Sequence, residues 1–344
     1  MSEVHIRKEG SVGHITLTRP NALNALTHNM CLLIERAMLQ WIDDKSVKLV
    51  IVDAEGERAF CAGGDIVEIY KEGVTGKHDN AIQFWRDEYR LNALIANYPK
   101  PYVAFMDGFV MGGGVGISAH GSHRIVTEQT KLAMPECAIG LVPDVGGSLL
   151  LGLMPGYCGE YVGLTGARLN GADCLYANVA DVIVNSNKLS DLKNVLHSSG
   201  DLTAIDDFAV VPEQSKLAQH QSQIDAIFSL DSVEAISEAL AESGAPFVES
   251  ALKGLNAGSP LAQKVAFSFI RSAREHKSIA LALRDEFRFV SRSVLGGEFV
   301  EGIRAAVIDK DRSPQWKYPT LASVSDSIAQ TMQQAADGGD FSLN

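Results

Sequence analysis

Short apolar runs alternate along the chain with stretches in which apolar residues recur at helical spacing. Residues 14–18, HITLT, predict a strand that ends at Arg19 and Pro20. Apolar positions in residues 22–41 recur at helical spacing, and residues 47–52, VKLVIV, return to a strand pattern. The start of the chain therefore predicts a strand, a helix and a second strand in succession.

The same order recurs further along the sequence. Residues 102–106, YVAFM, predict a buried strand that stops at Asp107 and Gly108. The glycines at 112–114 then lead into a helix start at residues 115–119. This alternation predicts the α/β class, with parallel strands joined by crossover connections.

Beyond about residue 200 the pattern becomes helical. Strand-like runs disappear, and helical spacing covers residues 233–252, 260–275 and 279–294. We therefore expect a core at residues 1–200 and a helical C-terminal region at residues 201–344. The Gly and Asp content of residues 335–344 predicts a disordered tail.

Composition and charge narrow the classes of function. The chain has 344 residues, 46% of them hydrophobic, which is enough to bury a substantial core. Its 42 acidic residues exceed its 30 basic ones and give a formal net charge of -12. This balance disfavours nonspecific binding to nucleic acid or to an anionic membrane surface. An anionic ligand must therefore be held by local features.

Cysteine usage and the apolar runs suggest a compartment. The five cysteines are scattered and form no close pairs of the metal-binding kind, which fits a reducing environment. The first residues lack the apolar core of a secretory signal, and no segment approaches the ~20 uninterrupted apolar residues of a membrane span. We expect a cytoplasmic protein.

Two glycine turns after strands could supply an oxyanion hole. They are AGGD at residues 62–65 and MGGG at residues 111–114. Glycine lets a backbone approach a ligand closely, and N–H groups at a helix start carry the positive end of the helix dipole. Two such donors would stabilise the negative oxygen of an enolate or tetrahedral intermediate.

Each glycine turn also has a plainer interpretation. Glycine turns after strands are common, and either one alone is more often structural than functional. Residues 114–119, GVGISA, match the dinucleotide pattern G-x-G-x-x-A as well. However, that pattern normally opens the first strand-helix unit of its fold, whereas this segment follows an earlier complete unit and is not followed by a clear ribose-binding acid.

Two carboxylates, Glu136 and Asp144, lie within an otherwise apolar and glycine-rich segment. Burial raises the pKa of a carboxyl, which is how enzymes obtain a general acid or base that works near neutrality. Helix capping is the alternative, and it suits Asp144 well. His120 and His123 share a predicted helix face, but two histidines without a third ligand are more often structural than metal-binding.

Three blocks of this sequence resemble the signature segments of the crotonase (enoyl-CoA hydratase/isomerase) superfamily. They are FCAGGD at residues 60–65, MGGGVG at residues 111–116, and MPE at residues 134–136 followed by GLVPDVGGS at residues 140–148. Their order and spacing are specific, and the segments at residues 19–26 and 164–166 extend the resemblance over the first 185 residues.

Further blocks are similar to the 3-hydroxyisobutyryl-CoA hydrolase subgroup of that superfamily. These are residues 88–92, EYRLN, residues 120–121 with Arg124, residues 143–147, PDVGG, and the late stretch EGIRAAVIDKD at residues 301–311. Residues 186–230 carry no recognisable block. The resemblance implies a core of ββα units wound in a spiral, followed by a helical C-terminal region.

The resemblance also implies roles for individual residues. The amides of Gly64 and Gly113 would form the oxyanion hole, Glu136 would be the principal catalytic group, and Asp144 would bind the substrate's 3-hydroxyl or transfer protons. Further residues would contact the substrate and its coenzyme A portion: Glu88, Ala62, Gly63, Asp65, Ile66 and Gly112. Gly116 stands where a hydratase carries its first glutamate, which counts against hydration.

The expected activity is hydrolysis of a short 3-hydroxyacyl-CoA thioester, foremost 3-hydroxyisobutyryl-CoA in valine degradation. The acyl-CoA is the expected partner, and we expect no binding to nucleic acid or to a membrane. We expect no metal and no cofactor beyond the coenzyme A of the substrate. A homo-oligomer is possible. The alternatives are double-bond isomerisation with Glu136 as a single base, and a non-catalytic acyl-CoA-binding protein.

Overall fold

The computed structural model describes residues 3–296 and 298–343; Met1, Ser2, Gly297 and Asn344 lie outside the described residues. The strands are β1 Val4–Glu9, β2 Val12–Leu17, β3 Leu49–Ala54, β4 Ala59–Cys61, β5 Tyr102–Met106, β6 Phe109–Met111, β7 His123–Val126, β8 Lys131–Ala133 and β9 Val182–Ile183.

The helices carry most of the remaining chain. They are α1 His28–Asp43, α2 Ile66–Gly73, α3 Asp79–Ala96, α4 Gly113–Gly116, α5 Gly147–Gly152, α6 Cys158–Thr165, α7 Gly171–Tyr176, α8 Leu189–Ser199, α9 Ala204–Phe208, α10 Lys216–Phe228, α11 Val233–Glu242, α12 Val248–Ala257, α13 Pro260–His276, α14 Ile279–Gly296, α15 Glu298–Ile303 and α16 Asp326–Thr331. Short 3-10 helices lie at Pro20–Ala22, Glu136–Ile139, Ser186–Lys188 and Leu321–Ser323, and a π-helix at Arg304–Ile308.

Contacts between Cα atoms group the chain into two compact units, each made of separated segments. The first comprises Met1–Gly64, Arg90–Leu132 and Leu169–Ala218, and the second comprises Asp65–Tyr89, Ala133–Arg168 and Gln219–Asn344. These units do not follow the division into residues 1–200 and 201–344, since both draw on the first 200 residues. That division stays a prediction about domain organisation.

The first unit contains a six-stranded sheet in the order β1-β2-β3-β5-β7-β9. β1 and β2 form an antiparallel pair, and every other neighbouring pair is parallel. The predicted α/β class with parallel crossovers is therefore confirmed. A second sheet has the order β4-β6-β8, and its neighbours β4 and β6 are parallel.

Alternate residues of the central strands build one face of the first unit's core. Ile51, Val103 and Phe105 are buried on this face and pack against Leu192 and Leu196 of α8. The remaining residues of β3 and β5 are also buried or nearly so. Parallel strands covered on both faces read as continuous apolar runs, which is why residues 47–52 and 102–106 are recognisable in the sequence.

In the described part of residues 201–344, the predicted helical character is confirmed, and one predicted helix proves to be two. α11 begins after Ser232, whose side chain accepts a hydrogen bond from the N–H of Ala235, and ends at Glu242. α12 begins only at Val248. The interval contains Pro246, which cannot donate the hydrogen bond that a continuous helix over residues 233–252 would require.

The prediction of a disordered tail at residues 335–344 is wrong for its described part. Phe341 is 5% exposed and contacts the rings of Tyr89 and Phe287. The Asp340 carboxylate accepts hydrogen bonds from the Arg288 guanidinium, the shortest at 2.6 Å. Local composition missed this segment because its stabilising partners lie more than 50 residues away along the chain. Among the described helices, none is both long and apolar enough to cross a lipid bilayer.

Candidate active site

The two glycine turns of the first unit lie side by side. β4 and β6 are parallel neighbours, so the turns that follow them leave the same edge of their sheet. Gly63 has a φ of +110°, and a Cβ placed on it would lie 3.4 Å from the Met111 carbonyl oxygen and 3.8 Å from the Gly113 nitrogen. The segments that the sequence paired as an oxyanion hole therefore adjoin through their backbones.

Gly113 begins α4, and the first N–H groups of a helix have no acceptor within that helix. Gly112 precedes it with a φ of 50°, which glycine adopts readily. Gly64 pairs with Leu26 in an isolated parallel bridge. The predicted residues Ala62, Gly63 and Gly112 lie in these same turns. The predicted residues Asp65 and Ile66 instead open α2, which belongs to the second unit.

Replacing Gly114 with alanine is expected to separate the two turns. The new Cβ would lie 2.4 Å from the Cys61 carbonyl oxygen and 2.9 Å from the Cys61 Cβ. Because the oxygen belongs to the backbone, only a shift of the backbone can relieve this clash. We expect a loss of about 1–3 kcal/mol in the free energy of unfolding, measured by urea denaturation. Gly244→Ala is the control, since a Cβ there meets nothing within 4 Å. Equal midpoints for the two variants would contradict the close approach.

The second unit holds a cluster of buried acids. Glu88 on α3, Glu136 at the start of its 3-10 helix and Asp144 in the following loop are each 5% exposed or less. Glu286 on α14 is fully buried. The Oε1 atom of Glu88 and the Oε2 atom of Glu136 are buried without a hydrogen-bond partner among the described residues. The structure thus brings together the three acids that the sequence singled out, and adds a fourth.

The local backbone fixes Glu136. Its carbonyl accepts a hydrogen bond of 3.1 Å from the N–H of Leu141, which closes the short helical turn. The carbonyl of the next residue, Cys137, accepts a bond of 2.8 Å from the N–H of Ser259, the residue that caps α13. The carboxylate therefore stands on a turn that is anchored to a long helix.

Asp144 is held by a tyrosine that the sequence analysis did not single out. The hydroxyl of Tyr89 donates a hydrogen bond of 2.9 Å to the Oδ2 atom of Asp144. Tyr89 is completely buried and adjoins Glu88 in α3. The interpretation of Asp144 as a helix cap is not supported, because the cap position of α5 is Gly146, with no side-chain cap bond.

Burial makes these acids weak. It raises the pKa of Glu136 well above the usual value, with a further rise from the neighbouring charge of Asp144. Burial and then Asp144 act in the same direction on the pKa of Glu88. Burial also raises the pKa of Asp144 to about 7, although the bond from Tyr89 opposes this rise. Carboxyl groups with such pKa values can take up and release protons near neutral pH.

Glu286 is the acid that the sequence analysis missed. Burial raises its pKa to about 8, against the hydrogen bonds that it receives from Ser148 and Gly146. A signal existed in the sequence, because Glu286 falls within the apolar stripe of α14, between Leu283 and Val290, both of which are fully buried. An acid at a core position of an amphipathic helix indicates a buried polar contact.

A group with metal-ligand chemistry lies elsewhere, in the first unit. Ligand atoms of Glu9, His14 and His197 lie within 4.8 Å of one another. The Arg7 guanidinium contacts two of these residues, with its Nη2 atom 2.8 Å from the Nδ1 atom of His14 and its Nε atom donating to Glu9. The positive charge next to these ligand atoms is therefore the guanidinium of Arg7.

The second pair of histidines that the sequence suggested, His120 and His123, does not share a helix, since His123 begins β7.

The fold and these segments define the class of protein: the chain belongs to the enoyl-CoA hydratase/isomerase family, whose profile matches residues 12–332. The resemblance found in the sequence is thereby confirmed. A zebrafish (Danio rerio) relative named 3-hydroxyisobutyryl-CoA hydrolase, mitochondrial, is 41% identical over 99% of this chain and 92% of its own length. The human relative of the same name is 39% identical over 94% of this chain and 86% of its own length.

Two solved structures share the fold over nearly the whole chain. One, described as an enoyl-CoA hydratase from Rhodobacter sphaeroides, has a TM-score of 0.94 and 43% identity, over 99% of this chain and 100% of that chain. The other, described as a carnitinyl-CoA dehydratase from Mycobacterium thermoresistibile, has a TM-score of 0.95 and 40% identity, over 100% of this chain and 99% of that chain. The crotonase-like fold is therefore confirmed.

Proposed function

We propose that this protein hydrolyses the thioester of a short 3-hydroxyacyl-CoA, foremost 3-hydroxyisobutyryl-CoA, to give the free hydroxy acid and coenzyme A. Relatives that carry this activity in their names align with nearly the full chain. The observation that carries the proposal is Glu136, a buried carboxylate with an unpartnered oxygen and a raised pKa beside Asp144.

The proposed mechanism uses each predicted residue in turn. The N–H groups of Gly64 and Gly113 polarise the thioester carbonyl and stabilise the negative oxygen that forms on it. Glu136 then either attacks the carbonyl carbon to give a mixed anhydride, or removes a proton from the water that attacks it. In both routes the C–S bond breaks, and the thiolate of coenzyme A leaves and takes up a proton. In the first route water then hydrolyses the anhydride, which releases the hydroxy acid and regenerates the Glu136 carboxylate. In the second route the attacking water itself supplies the new carboxylate oxygen.

The other acids are proposed to handle the hydroxyl end of the substrate. Asp144 accepts or donates a hydrogen bond at the 3-hydroxyl, oriented by the hydroxyl of Tyr89. Glu88, whose Oε1 atom is unpartnered, lines the same acyl pocket. The backbone from Ala62 to Ile66, with Gly112, is proposed to contact the coenzyme A portion.

Hydration is the competing reaction, because two solved relatives are described as a hydratase and a dehydratase. The resemblance places the first hydratase glutamate at residue 116, and this chain has a buried glycine there. Addition of water across a double bond with two carboxyl groups is therefore disfavoured. Isomerisation with Glu136 as the single base remains a second candidate.

Thiol release distinguishes these reactions. Pure protein incubated with 3-hydroxyisobutyryl-CoA is expected to liberate one free thiol per substrate, followed with a thiol-reactive dye. With 3-hydroxypropionyl-CoA, which lacks one methyl, kcat/KM is expected to fall about 10-fold to 200-fold, because one methyl in an apolar pocket contributes about 1–3 kcal/mol. Crotonyl-CoA serves as the control for hydration, read as loss of enoyl absorbance without thiol. Absorbance loss with crotonyl-CoA and no thiol from either hydroxyacyl substrate would assign the chain to hydration instead.

Other features stay predictions under this proposal. The sequence predicts a cytoplasmic location, whereas the names of the vertebrate relatives place those proteins in mitochondria. A place in valine degradation, independence from metals and added cofactors, and the oligomeric state likewise stay predictions.

A further inference from the structure

Glu286 accepts three hydrogen bonds from the loop that carries Asp144. The N–H groups of Gly146 and Ser148 donate bonds of 2.7 and 2.9 Å, and the Ser148 hydroxyl donates one of 2.5 Å. Both carboxylate oxygens take part. The donors lie two and four residues after Asp144, so α14 is tied directly to the segment that follows this acid.

That segment has an unfavourable backbone conformation. Val145 has a φ of 55° and Gly146 a φ of 79°, so two successive residues occupy the left-handed region. The Cβ branch of valine makes this region costly for Val145. The N–H of Gly147 closes the turn by donating a 2.6 Å bond to the carbonyl of Asp144. Such a conformation persists only where the surrounding structure holds it in place.

The acid at position 286 is itself costly, since it is fully buried among other acids. The titratable groups that interact with it are Asp144, Glu136 and Tyr89. A neutral glutamine would fill the same space, but only one of its two terminal atoms accepts hydrogen bonds. Both oxygens of the Glu286 carboxyl accept bonds in the structure, and glutamine cannot reproduce that arrangement.

We propose that Glu286 is a positioning residue that holds the left-handed loop at residues 144–148 in the conformation that presents Asp144 to the substrate. This rests on the proposed function of Asp144. Tyr89 fixes the Asp144 carboxylate from one side, and Glu286 fixes the backbone that follows it. Glu286 does not contact the reacting atoms in this scheme.

Two substitutions test the proposal. Glu286→Leu removes all three acceptors, and it is expected to lower kcat at least 30-fold while KM changes less than threefold. Glu286→Gln keeps one acceptor oxygen, and its kcat is expected to lie between that of Glu286→Leu and that of the unmodified protein. Asp285→Asn is the matched control, because it removes a carboxylate one residue away that accepts hydrogen bonds from Arg284 and Arg288 rather than from the loop. It is expected to leave kcat within twofold.

Two further readouts separate positioning from a general loss of stability. Amide hydrogen exchange of Gly146 and Ser148 is expected to accelerate in Glu286→Leu, with the rest of α5 less affected. The charge of Glu286 contributes to the raised pKa of Glu136. Burial raises the pKa of Glu286 itself to about 8, so this charge is present only at alkaline pH. Its removal is therefore expected to change the kcat profile above about pH 8 in both variants and to leave the acidic limb in place. A uniform loss of rate at every pH that follows the loss of folded protein would overturn the proposal.

The outcomes also distinguish this proposal from the proposed function. If the unmodified protein releases thiol and both variants keep its kcat and pH profile, the positioning role is wrong and the hydrolase assignment stands. If the unmodified protein releases no thiol, the hydrolase assignment fails. Hydrogen exchange is then the measurement that tests whether Glu286 anchors the loop. Unchanged exchange at Gly146 and Ser148 would then overturn the anchoring role as well.

Discussion

Changing Glu136 to glutamine is expected to lower kcat for thioester hydrolysis about 10³-fold. Glutamine has nearly the same shape, so the 3-10 turn and the bond from Leu141 to the residue 136 carbonyl should survive. What disappears is the group that attacks the carbonyl or activates water, and acid-base groups of this kind contribute about 10²-fold to 10⁴-fold in rate. The measurement is steady-state thiol release with 3-hydroxyisobutyryl-CoA, together with the affinity for coenzyme A, which should stay within threefold.

The control for this variant is Glu160→Gln, a fully buried acid of the second unit that pairs with Arg271 and Arg274 outside the acidic cluster. It is expected to retain activity if it folds. A Glu136→Gln protein that keeps more than a tenth of the original kcat would falsify the assignment of Glu136 as the principal catalytic group. That result would favour the interpretation of the cluster as a substrate-binding pocket.

Changing Asp144 to asparagine is expected to lower kcat about 10²-fold and, at alkaline pH, to stabilise the protein. The asparagine side chain can still accept the bond from Tyr89, so the loss of rate reports the loss of a proton-transferring group or of the bond to the substrate hydroxyl. The gain in stability has a separate cause. Burial raises the pKa of Asp144 from its usual 3.8 to about 7, so the folded protein holds a proton that the unfolded chain releases.

The direction of the pH effect follows from this proton. Between pH 3.8 and about 7 the folded state binds more protons at Asp144 than the unfolded state, so this carboxyl makes stability fall as the pH rises through that window. The total is on the order of 4 kcal/mol, at 1.36 kcal/mol per pKa unit. The Asp144→Asn variant has no such proton to lose. Urea denaturation should therefore show that the difference in the free energy of unfolding between the variant and the unmodified protein grows from pH 5 to pH 7 and then levels off.

Asp53, in the first unit, is a buried acid whose pKa is shifted in the opposite direction to that of Asp144. Burial acts to raise its pKa, but the hydrogen bonds and charges of His14 and Lys193 hold that pKa below the usual value. Its contribution to stability is therefore present near neutrality and is lost as the pH falls, so Asp53→Asn should destabilise the protein at pH 8. If Asp144→Asn destabilised the protein at pH 8 as Asp53→Asn does, the burial of Asp144 as a weak acid would be refuted.

Local patterns are sufficient for the elements whose apolar residues are continuous or strictly periodic. The sequence predicts β5 at its observed bounds because all five of its residues are buried. It predicts α13 and α14 within a few residues, since Ser259 and Pro260 mark one helix start and a polar turn at residues 277–278 separates the two helices. The three-residue strands β4, β6 and β8 are not predicted, because so few residues establish no period.

The candidate site divides in the same way. The sequence by itself singled out the glycine turns, Glu136 and Asp144, because unusual residue types at fixed spacing are visible in a linear string, and the family resemblance added Glu88. Only the tertiary structure decided that Tyr89 donates to Asp144, that Glu286 anchors the loop after it, and that Phe341 packs against Tyr89. The physical reason is that these contacts join residues 55 to 252 positions apart, and whether an acid or a tail residue is buried depends on partners that no local window contains.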